Sequence, residues 1–162
     1  MKQVARKTGS TIKCMTDSTF QEAIAEKRRV SVVIDDLITG NYHLSGLEGL
    51  SLGKPVLSFL DGRTQLVLAE ISGTEMCPFV NLRLEGSYDV LIYLVEHPDE
   101  AGAIGKSSRK WIERYWSDYI LVQHFVDVYE KLLSIPDLVV RQDSLRLKDS
   151  VDHFHAVILP DL

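Results

Sequence analysis

Residues 40–49, Gly-Asn-Tyr-His-Leu-Ser-Gly-Leu-Glu-Gly, hold the side chains of this chain best suited to chemistry. Glu48 falls one turn into a short helix predicted over residues 45–52. A carboxylate in that place can accept hydrogen bonds from the paired hydroxyls of a ribose. The backbone of Tyr42, His43, Leu44 and Ser45 leads into the same helix and would present unpaired N–H groups. Such groups, with the helix dipole behind them, favour an anion such as a diphosphate. Gly40, Gly46 and Gly49 would let a ligand or a neighbouring element come close to the main chain.

Each of these residues also has a purely structural reading. Ser45-Gly46-Leu47-Glu48 fits the S-x-x-E capping box, in which Glu48 would serve only the helix start. Gly53-Lys54-Pro55 fits a helix stop followed by a strand entry. His43 could be an ordinary loop histidine. Asp35-Asp36 suggests a metal at first sight, but adjacent carboxylates on a strand end point opposite ways. The expectation is therefore a solvated strand end and no metal site.

The elements that must position these residues follow from the apolar pattern. Residues 30–34, 55–60 and 78–82 are compact apolar runs, as expected for parallel strands buried on both faces. Helical segments alternate with them at residues 19–27, 45–52 and 64–71, which predicts a parallel α/β sheet in three layers. Asp17, Ser18 or Thr19 could cap the first helix, and residues 11–15 read as a short strand. Ligands bind such folds at the carboxyl edge of the sheet, where the 40–48 loop and helix start would lie. Beyond residue 87 the chain is helical: 88–96, then from Pro98 to about Trp116, then from Ser117 or Asp118 to Ser134. The last helix has a wide apolar face that includes Leu121, Val122, Phe125, Val128 and Leu132. A face that wide predicts a packed helix, paired with the one before it on the sheet, burying Trp111, Ile112, Phe125 and Val128. Arg109, Lys110, Glu113 and Arg114 read as a solvated face. Residues 135–162 form a tail in which 157–159 could add a strand, and nothing is read into His153-Phe154-His155.

Composition bounds the function classes. Of 162 residues, 45% are hydrophobic and 25% charged, which is enough apolar matter for a real core. The net charge of −5 gives no basic surface for nucleic acid. No apolar run approaches the roughly 20 residues of a membrane-spanning helix. The N-terminus has no apolar signal core, and Cys14 and Cys77 have no CxxC spacing. A cytoplasmic protein with two free thiols is expected.

A longer pattern joins these pieces. Val33-Ile34-Asp35-Asp36 is followed by Gly40-Asn41-Tyr42-His43, then by Leu47-Glu48-Gly49-Leu50-Ser51-Leu52-Gly53-Lys54-Pro55-Val56. This resembles the donor-site segment of the family 4 (group 1) retaining glycosyltransferases, which runs through a glycine-aromatic-glycine loop into L-E-A-M-A-x-G-K-P-V. Glu96-His97-Pro98-Asp99-Glu100 through Ile112, and the final helix ending Tyr129-Glu130-Lys131-Leu132-Leu133, resemble later segments of the same family. The likeness covers roughly residues 19–134. It implies a Rossmann-like domain, the C-terminal half of a GT-B fold, that binds a nucleotide-sugar donor with no further cofactor and no metal. Glu48 would hold the nucleotide ribose, and the loop at Tyr42, His43, Leu44 and Ser45 would meet the phosphates and the sugar. The family's first glutamate, which contacts the donor sugar, would fall at Gly40, and glycine stands there. The resemblance also implies a separate acceptor-binding domain or chain as partner, and little turnover by this chain alone. A non-catalytic α/β interaction module that keeps the fold is the other reading.

Overall fold

A computed structural model describes residues 2–135 of the chain. The expectations for residues 136–162 lie outside the described residues.

Three short parallel strands form the centre, in the order β1 (Val33–Ile34), β2 (Val56–Ser58), β3 (Val80–Asn81). Val33 aligns with Val56 and Leu57 with Val80. The parallel pairing expected from the apolar runs is present, but each strand is shorter than its run. Irregular backbone bonds extend the pairing: Asp35 N donates to Leu57 O at 2.9 Å, and Leu82 N donates to Ser58 O at 3.1 Å. Central β2 is buried along its whole length.

Successive strand residues face opposite sides, and β2 shows the result. Leu57 joins an apolar cluster with Val4, Leu37, Leu91, Ile92, Leu94 and Ala101. Val56 joins another with Val33, Leu50, Leu60, Leu68, Phe79 and Trp111. Helices α1 (Lys2–Thr8) and α5 (Ser87–Glu96) supply the first cluster; α3 (Leu44–Ser51) and α4 (Gly62–Ser72) supply the second. Helix α6 (Pro98–Tyr115) contributes Ala101 to one cluster and Trp111 to the other. The architecture is mixed α/β with apolar cover on both faces of a small sheet.

The helix starts are chemically specified. Thr19 caps α2 (Phe20–Arg29), and with Glu22 it closes a true capping box: Thr19 Oγ1 accepts from Glu22 N, and Glu22 Oε2 accepts from Thr19 N. Asp61 caps α4 by accepting from Thr64 N at 2.7 Å. Pro98 opens α6. Past the middle of α6, buried Ser108 donates to Pro78 O at 2.7 Å and ties that helix to the approach of β3.

Three features depart from the sequence reading. Residues 2–8 form a helix where no periodicity signalled one, because only Val4 of that turn is buried. Residues 11–15 form no strand; none of the strands among the described residues offers a ladder to their backbone groups. The third correction concerns α7 (Asp118–Ser134). Trp111 and Ile112 are buried and partly buried as predicted, but α7 has no buried residue. Phe125 is 64% exposed, and Val128 is exposed too. The apolar stripe is there, but none of the described elements covers it.

Candidate functional site

The loop between β1 and α3 builds an open cleft of about 490 Å³ at the carboxyl edge of the sheet, lined by Ile34–Ile38, His43 and Ser45. Its floor is Asp35. The Asp35 side chain is only 3% exposed, and Oδ2 accepts from His43 N at 2.8 Å, with His43 Nδ1 3.6 Å from Oδ1. Asp35 is thus the resident anion at the start of α3, where the helix dipole stabilises it. Gly46 is a condition of this arrangement: a Cβ at that position would lie 2.6 Å from Asp35 Oδ2.

Asp36 serves a different partner. It accepts from Ile38 N at 2.6 Å, from Thr39 N at 2.9 Å and from Thr39 Oγ1 at 2.6 Å. The Thr39 hydroxyl, helped by the Thr39 and Ile38 amides, holds the Asp36 carboxyl below its ordinary range. The pair of carboxylates does diverge, but Asp35 is a buried helix partner and not part of a solvated strand end. Among the described residues no cluster of His, Cys, Asp and Glu has the arrangement of a metal site.

The remaining site residues separate into two groups. His43 occupies the N-cap position of α3 without a side-chain cap bond, and Ser45 lies in its first turn; both line the cleft. Exposed Leu44 opens the helix. The amides of Leu44 and Ser45 donate to no protein acceptor among the described residues, whereas Gly46 N and Leu47 N both donate to His43 O. Gly40 and Tyr42 turn away from the cleft. Gly40 has φ 83°, a left-handed conformation that favours glycine, and its carbonyl accepts from Asp61 N and Thr64 Oγ1 at the start of α4. Tyr42 stacks on Phe79 with ring centroids 5.4 Å apart, and burial pushes its phenol up.

Glu48 forms no capping box, because the helix begins at Leu44 and Ser45 is already inside it. Its carboxylate instead meets Lys27 from the last turn of α2: Lys27 Nζ lies 2.5 Å from Glu48 Oε2. The same ammonium donates to Ser45 O at 3.0 Å and Ser45 Oγ at 2.9 Å. Sequence reasoning missed Lys27. It lies 21 residues from Glu48, and a lysine near a helix C-terminus has a sufficient local explanation in the helix dipole. No family model, curated protein or solved structure matches the chain.

Proposed function

We propose that this chain is the donor-binding part of a glycosyltransferase: it binds a nucleotide-sugar and transfers the sugar together with an acceptor domain or chain. The observation that carries the reading is one of placement. The free amides of Leu44 and Ser45 border a cleft at the carboxyl edge of a parallel sheet, and Glu48 stands one turn behind them. The amides suit phosphate oxygens. Glu48 suits ribose hydroxyls, and the Asp36 carboxylate on the cleft wall suits hydroxyl groups of the sugar. The resemblance of residues 40–56 to the glycosyltransferase donor segment supports the same assignment.

The test is titration of UDP and GDP against the full chain, followed through backbone amide NMR signals. Signals of residues 42–48 should shift, at up to millimolar ligand. Glu48→Gln should weaken binding by roughly 1.5–3 kcal/mol, the range for hydrogen bonds to a charged group. Because this substitution would leave the Lys27 ammonium with neutral acceptors only, thermal unfolding is read in parallel. A stability loss in the mutant with no nucleotide-induced shift in the wild type would sink the proposal.

Two observations favour the second reading, an interaction module without chemistry. Asp35 already fills the helix start that a phosphate would approach, and α7 offers a broad exposed apolar stripe.

A further inference from the structure

All three protons of the Lys27 ammonium are engaged at one place. They reach Ser45 O, Ser45 Oγ and Glu48 Oε2, and the two charged side chains are only 12% and 16% exposed. An ammonium has three donors and no more. Lys27 therefore has no proton to offer a phosphate without releasing a partner, which sets it apart from a phosphate clamp. Its effect falls on Glu48. One carboxylate oxygen is fixed, while Oε1 accepts no hydrogen bond among the described residues. An unrestrained glutamate samples many rotamers and must be ordered when it binds; this one is ordered beforehand. Ser45, the other partner of Lys27, lines the cleft, so the three residues connect α2 to the site wall.

We infer that Lys27 is a positioning residue that fixes Glu48 for ribose recognition and so makes the site select ribonucleotides over 2′-deoxyribonucleotides. This rests on the donor-binding reading above. A site built to bond a hydroxyl with a partly desolvated, oriented carboxylate oxygen rejects a ligand lacking that hydroxyl, because that oxygen, here Oε1, is left without a partner. A glutamate free to swing into water rejects it far less.

The experiment compares UDP with 2′-deoxy-UDP, and GDP with 2′-deoxy-GDP, on the full chain and on Lys27→Met. The wild type should bind one ribonucleotide about tenfold or more tighter than its deoxy analogue, as expected for a charged hydrogen bond. Lys27→Met should bring that ratio below about threefold and leave affinity for the deoxynucleotide nearly unchanged, since the phosphate contacts do not involve Lys27. Lys27→Arg, which keeps the charge, should restore part of the ratio. An unchanged ratio in a folded Lys27→Met protein overturns the inference and leaves nucleotide binding standing. Should Lys27→Met fail to fold, Ser45→Ala removes one of the three bonds; it should give an intermediate ratio, and the full wild-type ratio there overturns the inference equally. A wild type that binds no nucleoside diphosphate, or binds without ribose preference, overturns the ribose assignment of Glu48 and this inference with it.

Discussion

Helices α6 and α7 follow one another, have eighteen and seventeen residues, and both carry apolar stripes, yet they end in opposite environments. The buried face of α6 is Ala101, Gly105, Ser108 and Trp111. Three of the four are small, which lets the main chain of α6 come close to the Gly53 carbonyl at the end of α3, while Trp111 fills the space beyond. The stripe of α7 is made of large side chains, Tyr119, Val122, Phe125, Tyr129, Leu132 and Leu133, and all of them are exposed. Small residues at helical spacing mark a close approach that has been made. Large apolar residues mark only a face that would gain from cover.

The largest expected effect is at Trp111. Trp111→Ala should cost about 3–5 kcal/mol in urea or guanidinium unfolding. The indole Nε1 has no hydrogen-bond partner among the described residues, so Trp111→Phe removes an unpaired donor along with some packing and should cost less than half as much. Equal losses for the two variants would show that the indole N–H is satisfied in solution.

Two glycines of α6 sharpen the comparison within one helix. A Cβ at Gly105 would run into the Gly53 carbonyl, a backbone group that cannot rotate aside, whereas Gly102 has nothing within 4 Å. Gly105→Ala should destabilise by about 1–3 kcal/mol. Gly102→Ala should stabilise by roughly 0.5–1 kcal/mol, through lower backbone entropy in the unfolded chain. Stabilisation at both positions would mean that α6 does not press on α3.

The smallest effect is expected in α7. Phe125→Ala should change stability by about 0.5 kcal/mol or less, as for other surface substitutions. A loss of several kcal/mol would show that the stripe is covered in solution and would erase the contrast between the helices.

Much of the core was legible in the sequence because burial on both faces writes a strong pattern. Residues 55–60 and 78–82 are apolar runs too short for helices, and Gly53 and Pro55 punctuate the first of them. Strand lengths were not legible, since an apolar run continues into irregular backbone that is bonded outside the regular ladder, as where Phe59 N donates to Asp36 O and Leu60 N to Asn81 Oδ1. The exposure of α7 was not legible either. A hydrophobic stripe reports what a face prefers and not what stands opposite it. At the site, the sequence located His43 and Ser45, which line the cleft, but the capping-box reading of Ser45 and Glu48 fails. Ser45-x-x-Glu48 satisfies the capping pattern by spacing, yet the helix starts two residues too early for it, with His43 at the N-cap, and the same two residues cradle Lys27. The true box, Thr19 with Glu22, has the same pattern in a segment where no chemistry drew attention.

The contact between Gly46 and Asp35 restricts how this chain can change over generations. Any side chain at position 46 would enter the space of the Asp35 carboxylate, so Gly46 is fixed while Asp35 stays. Asp35 is less constrained in the other direction, because shortening it leaves Gly46 without conflict. The two positions therefore have a preferred order of substitution, first 35 and then 46, and the reverse path passes through a damaged intermediate. Lineages that have taken the first step would still meet the Phe79 ring, whose Cε1 lies 3.1 Å from a Cβ at position 46 and would have to give way, and would have given up the buried carboxylate that floors the cleft.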